Sequence, residues 1–332
     1  MLARSLAWWV LVLLLGVWNG AADAAQTDPI ARLMHQKRYG EANSAIEARL
    51  ARNATDATAL AASVDLRIAR GEPDDLPQAR TEADRCVRAN PDSSVCAEAL
   101  GNVMLAQSRA GGLVAFVRNA HATRDTLERA IRFDPMNYRA RVTLMRFYLD
   151  APFFLGGSEG RARELAAEAW RLDPDLTRLM RAMSAVEEGK LDDAEQHILA
   201  ADLTQYELVQ SSQRELLLTL ASAHLGAGRY AQSRRLFQEL SRRLPSSEQG
   251  PYGLAQVARA QGRLAEAALQ LERAAAIAPK PYVYKTLGEV YEARRDRPRA
   301  IAAYQAALAG VPPLARREMK QVTAHLAQLK RR

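Results

Sequence analysis

A beat of about 34 residues runs through the C-terminal half of the chain. Pro245 and Pro279 stand 34 positions apart, and so do Ala221 and Ala255, and Ser233 and Ala267. Each unit reads as an amphipathic helix, a tight turn with Gly and a basic residue, a second helix, and then Pro. One helical hairpin of this kind cannot bury its apolar face alone. Neighbours must stack, and the product is an all-α, elongated solenoid with a groove. Such a surface is shaped for contact with other macromolecules rather than for bond-making.

The unit spanning 281–312 shows Tyr284, Leu287, Gly288, Tyr291, Ala300, Tyr304, Ala307 and Pro312 in order. The unit before it gives Ala255, Ala258, Ala267, Leu271, Ala274 and Pro279. The one before that gives Leu217, Leu220, Ala221, His224, Ser233, Phe237, Leu240 and Pro245. This order of small, aromatic, Ala and Pro positions resembles the tetratricopeptide repeat, a helix-turn-helix of about 34 residues. Small residues at the crossings let two helices approach within ~8–10 Å. Pro ends each second helix, because it cannot donate to the previous turn and disfavours helix at the residue before it.

Upstream the repeats are degenerate. Ala182, Ala185, Ala194, Ile198 and Ala201 keep the spacing without a closing Pro, while Pro91, Pro135 and Pro174 each follow a helical stretch. Asp28-Pro29 reads as a helix cap with Pro at the first helical position. The resemblance runs from 28 to 313, degenerate over 28–212 and clear over 213–313. Residues 314–332, with Leu314, Met319, Val322, Leu326 and Leu329 as their apolar set, look like the capping helix that shields the last repeat.

The chain opens with Met1-Leu2-Ala3-Arg4-Ser5 and an apolar run from Leu6 to Trp18, 13 residues long. That is too short to span a bilayer comfortably, and Ala22-Asp23-Ala24 fits a small-residue cleavage site. Residues 1–24 read as a secretory signal peptide, removed to leave 25–332; the alternative is an uncleaved anchor. High Ala and Arg with little Lys suggest a bacterial protein, which would place the mature chain in the periplasm. The formal charge is +8. A nucleic-acid partner is disfavoured, because the cations are scattered and export removes that partner. Arg316, Arg317, Lys320, Lys330, Arg331 and Arg332 do cluster. They read as a solvated capping face, or else as a peripheral contact with an anionic membrane surface or an acidic partner.

Two cysteines, Cys86 and Cys96, flank Pro91, so they should face each other across a helical hairpin. In an oxidising compartment this predicts a structural disulfide; the alternative is two buried thiols. Two stretches break the beat. Residues 151–162 lengthen a turn by roughly five residues against the usual spacing. There, Pro152 stops a helix, Ser158 can cap the next, and Phe153, Phe154 and Leu155 are expected to fold onto the stack; the alternative is an exposed apolar knob for a partner. Around Gly111-Gly112 a helix should end or kink, with Leu113, Phe116, Val117 and Ala120 sharing one face that packs on a neighbour; the alternative is an apolar patch at the mouth of the groove.

Little points to catalysis. None of His35, His121, His197, His224 and His325 has a second His or a Cys at i+3 or i+4, and no nucleophile or phosphate-loop pattern occurs. His224 occupies an aromatic slot of its repeat, and Asp192-Asp193 read as solvated turn residues. No cofactor and no metal are expected, and the chain does not read as an enzyme. In the resembled family the first helix of each repeat lines the concave surface, and ligands are peptides or partner proteins. By that resemblance the groove residues are Asn102, Arg139, Arg146, Tyr252, Gln256, Arg259, Lys285 and Glu289. The Lys and Asn set that binds C-terminal carboxylates in several such repeats is not reproduced, since Glu98 stands where Lys is needed beside Asn102. The resemblance implies a non-catalytic protein–protein interaction scaffold of the bacterial periplasm or cell envelope. A chaperone-like carrier of unfolded clients and an auxiliary subunit of an envelope enzyme are the alternatives; a scaffold holds one stable complex, a carrier many weak clients.

Overall fold

The computed structural model describes residues 28–72, 74–203 and 207–331. The segment read as a signal peptide lies outside the described residues. Among those described there are sixteen α-helices and no strand, and no helix is long and apolar enough to cross a membrane. They pair in chain order: α1 (Pro29–His35) with α2 (Tyr39–Arg52), α3 (Ala57–Arg70) with α4 (Asp75–Ala89), and then the two arms of a kinked α5 (Ser94–Phe133). Next come α6 (Tyr138–Asp150) with α7 (Glu159–Ala169), α8 (Pro174–Glu187) with α9 (Leu191–Ala200), and α10 (Glu207–Gly226) with α11 (Tyr230–Arg243). The last pairs are α12 (Gln249–Ala260) with α13 (Leu264–Ile277) and α14 (Pro281–Ala293) with α15 (Arg297–Ala309), followed by α16 (Arg316–Arg331).

The polar residues between hairpins start the first helices. Asp28, Asp56, Ser93, Asn137 and Asp173 each accept a hydrogen bond from a backbone N–H in the first turn of the helix that follows. These are donors that the helix itself cannot satisfy. Pro29, Pro174 and Pro281 fill the first helical position, where a missing N–H costs nothing.

The Gly111-Gly112 stretch turns out to be a hairpin turn inside α5. Gly112 sits at φ 66°, ψ −159°, a conformation that residues with a Cβ avoid. The two arms fold back on each other: Ser94 Oγ donates to the Ala130 carbonyl at 2.7 Å, and Asn119 Nδ2 donates to Ser108 Oγ at 3.4 Å. The expected shared face is corrected in part. Ala120 is buried and Phe116 stacks on Phe147 with ring centroids 6.4 Å apart, but Leu113 is 74% exposed and Val117 is exposed too. In the extended turn after α6, Ser158 caps α7 as expected, through a bond from the Arg161 N–H. Only Leu155 folds inward. Phe153 and Phe154 are 86% and 64% exposed, contrary to the expectation, because a single 3₁₀ turn over Phe153–Leu155 can aim just one of three consecutive side chains at the stack.

Buried apolar clusters recur between stacked hairpins, the two largest spanning Ala97 to Val257 and Ala255 to Leu329, with smaller ones among the first hairpins. Ser233, in the small-residue beat, donates its hydroxyl to the Ala221 carbonyl at 2.8 Å and pins α11 to α10. A second tie recurs. The third residue from the end of a first helix reaches a glutamate on the preceding second helix: Tyr148 Oη donates to Glu128 Oε1 at 2.6 Å, and Tyr291 Oη donates to Glu272. Burial, reinforced by the carboxylate acceptor, pushes both phenols up to about 12, so both stay protonated donors.

Helix α16 closes the stack in the position of a further first helix. It runs alongside α14, with Lys285 Nζ on Glu318 Oε1 at 2.8 Å and His325 Nδ1 by Glu292 Oε2 at 3.0 Å. Leu314, Val322 and Leu329 are buried beneath it, while Arg316, Arg317, Lys320, Lys330 and Arg331 point to solvent. At the other end the stack curls: α1 lies against α10, which also meets α6, α8 and α12.

Cys86 on α4 and Cys96 on α5 are bonded, with Cα atoms 5.3 Å apart and both residues fully buried. The bridge closes a loop with a sequence separation of 10, which in the chain-entropy description is worth about 2–3 kcal/mol. Reduction with dithiothreitol should therefore lower the urea midpoint of the native chain. A Cys86→Ala/Cys96→Ala variant should be indifferent to the reductant, and equal midpoints for the native chain with and without reductant would show that no bridge contributes.

Candidate partner-binding groove

Between α10, α12 and α14 the concave face opens into a cavity of about 790 Å³. Its apolar wall is Leu218 and Leu225 of α10, Phe237 of α11, and the rings of Tyr252 and Tyr282. Tyr252 lies in the first turn of α12 and Tyr282 in the first turn of α14. The two rings meet edge to face at 4.9 Å. Polar groups ring the opening. Gln256 Nε2 donates to Tyr252 Oη at 2.8 Å, Tyr282 Oη donates to Glu248 Oε1 at 2.8 Å, and Arg259 Nη1 pairs with Glu289 Oε2 at 3.0 Å. Burial, then the Glu248 acceptor, raises the Tyr282 phenol well above its ordinary range, so it remains a donor. An apolar floor with a few fixed donors is the usual form of a peptide or ligand pocket. Arg259, 40% exposed, is the group best placed to exchange its internal carboxylate for one on a bound segment.

Tyr252, Gln256 and Arg259 come together at this cavity, and Glu289 stands behind Arg259. Arg146 does line the concave side, but at a separate cleft of about 130 Å³ with Asp150, Met183 and Ser212. There it pairs with Glu215 Oε2 at 2.6 Å. Burial raises the Asp150 carboxyl, a shift that nearby Arg146 and Arg109 oppose. Lys285 is turned toward Glu318 of the capping helix.

Asn102 and Arg139 sit elsewhere and do something else. Arg139 Nη1 binds Asp65 Oδ2 at 2.6 Å and its Nε binds Glu98 Oε1 at 2.7 Å. Glu98 also accepts from Asn102 Nδ2 at 3.0 Å and from Asn137 Nδ2 at 3.1 Å. This network joins α3, α5 and α6 across three consecutive hairpins. Both residues are committed to internal partners, and the reading of Arg139 and Asn102 as groove ligands is corrected to that of a largely buried tie. Leu218, Leu225, Phe237 and Tyr282 of the cavity wall were missed. Tyr282 is the second residue of α14 whereas Tyr252 is the fourth of α12, so the repeat register that marks Tyr252, three before the small residue Ala255, marks Lys285 before Gly288 and passes over Tyr282.

The class defined by this geometry is an α-solenoid of helical hairpins whose first helices form a concave, pocketed face. Residues 218–282 match the family profile of the tetratricopeptide repeat, and the chain has the fold of a tetratricopeptide-repeat solenoid. Its fold is similar to the crystal structure of yeast Tom70, at 14% identity and a TM-score of 0.58 over 94% of this chain and 66% of that one. It also aligns with the APC/C hetero-tetramer Cut9–Hcn1 (16% identity, TM-score 0.48, 90% of this chain and 54% of that one). A tetratricopeptide repeat protein from Parabacteroides merdae ATCC 43184 aligns at 16% identity and a TM-score of 0.40, over 81% and 99% of the two chains. The chain thus spans just under two thirds of Tom70 and about half of the Cut9–Hcn1 chain. No curated protein matches the sequence. Tetratricopeptide-repeat folds serve generally as non-catalytic scaffolds for protein–protein contact.

Proposed function

We propose that this protein is an exported scaffold of the bacterial cell envelope that holds an extended segment of a partner protein in the cavity between α10, α12 and α14. The observation that carries the reading is the pairing of an apolar Tyr252–Tyr282 wall with polar groups at its mouth, on the face that the repeats make concave. A bound chain can place an apolar side chain against the rings and an acidic one on Arg259. Export is supported by the sequence of residues 1–24, and the Cys86–Cys96 bridge fits an oxidising compartment. The basic face of α16 is a further contact surface for an anionic membrane or an acidic partner.

A photo-crosslinking amino acid at Ser222, an exposed position on the cavity rim, tests the site in living cells. One dominant crosslinked protein is expected, and Tyr252→Ala or Arg259→Glu should reduce its yield at least tenfold. A crosslink that neither substitution alters rejects the groove. A ladder of many faint products marks a carrier of unfolded clients instead.

A further inference from the structure

The recurrent tyrosine–glutamate tie has one odd member. In α10 the third residue from the end is His224, and the glutamate on the preceding second helix is Glu195 of α9. Tyr148 and Tyr291 hydrogen-bond their glutamates from this slot. His224 does not: it is fully buried, and neither ring nitrogen has a hydrogen-bond partner among the described residues. Its Nε2 nonetheless faces Glu195 Oε2 at 3.2 Å. That is close to the ~3.3 Å separating two donors on a tetrahedral ion with metal–ligand bonds of about 2.0–2.1 Å. Asp192, one turn before Glu195 on α9, adds a third donor, and the three ligand atoms lie within 4.8 Å of one another.

We propose that Asp192, Glu195 and His224 form a site for a divalent cation of the zinc class, joining the α8–α9 hairpin to the α10–α11 hairpin. One imidazole and two carboxylates suit a borderline ion, with water completing four-coordination. The site is braced in the way metal ligands commonly are. Arg235 donates from Nε and Nη2 to Glu195 Oε1, leaving Oε2 toward the imidazole, and Arg229 Nη1 holds Asp192 Oδ1 at 3.0 Å. The two guanidinium charges oppose a cation, so they set a ceiling on affinity. Arg235 is 62% exposed and Arg229 is 39% exposed, so both charges are screened by solvent.

The test uses the untagged full chain after chelator treatment, titrated with Zn²⁺ by calorimetry and with Co²⁺ by visible absorption. The expectation is one Zn²⁺ per chain, a rise in melting temperature on loading, and Co²⁺ d–d bands of tetrahedral intensity. His224→Tyr restores the residue that sister hairpins use in this slot, so the fold should persist while affinity falls at least tenfold and the Co²⁺ bands vanish. Asp192→Ala, at an exposed position with no packing role, should weaken Zn²⁺ at least fivefold even if the first variant folds poorly. His197→Ala and His325→Ala should change nothing. An unaltered chain without saturable Zn²⁺ binding, or unchanged binding in Asp192→Ala, overturns the site.

Discussion

Arg139→Ala is expected to lower folding stability by about 3 kcal/mol, the low end of the range for breaking a buried ion pair from one side. Among the described residues, the Arg139 guanidinium is the one cation bonded to both Asp65 and Glu98 in the tie across α3, α5 and α6. Burial already holds the Glu98 carboxyl above its ordinary range, against the pull of Arg139. Removing the arginine must raise it further. A carboxyl whose folded pKa lies above its unfolded one loses stability as pH climbs through that interval. The deficit of the variant should therefore be smaller at pH 5 than at pH 8. Denaturant titration at the two pH values checks this, with amide exchange showing the loss concentrated in residues 57–150. Arg146→Ala is the control: its partner Glu215 is 62% exposed, and the change should cost no more than about 1 kcal/mol. Equal losses in the two variants would mean that the tie is no more than a surface pair.

Tyr304→Ala should cost about 4 kcal/mol, in the range for emptying a buried aromatic site. Tyr304 is 1% exposed and is the largest of the fully buried side chains. It fills the space left by Gly288 on the facing helix, where an added Cβ would lie 2.5 Å from its ring carbons. Its hydroxyl donates to Glu292 Oε2 at 2.8 Å, so the ring cannot swing aside without losing that bond. The reciprocal change, Gly288→Ala, gains about 1 kcal/mol of helix propensity and loses about 1–3 kcal/mol to overpacking, so a net loss is expected. Gly40→Ala in α2, with nothing within 4 Å of the new Cβ, should instead stabilise. Thermal melts of the three variants decide the matter, and a stabilised Gly288→Ala would mean that the α14–α15 crossing is looser than described.

The hairpins of the C-terminal third were legible because close helix crossings demand Ala, Ser or Gly at fixed spacing, and Ala221, Ser233 and Gly288 sit at those crossings. The same register brought out Tyr252, Gln256 and Arg259, since a position on a first helix fixes which way its side chain points. Arg139 was misread because its direction was right but its partners were invisible: Asp65 and Glu98 come from earlier hairpins, where the repeat is too worn to align. His224 was seen as an aromatic replacement and no more. Glu195, which faces it, belongs to another hairpin, and pairing across hairpins leaves no mark in linear spacing. Phe153 and Phe154 were placed inside on hydrophobicity alone, and the geometry of a short 3₁₀ turn overruled that.

The meeting of α1 with α10 has a mechanical consequence. A coil whose leading end rests on its own sixth winding leaves no broad trough for a folded body to lie in. Any segment held among the first six hairpins would have to be slender, an extended tail or a lone helix.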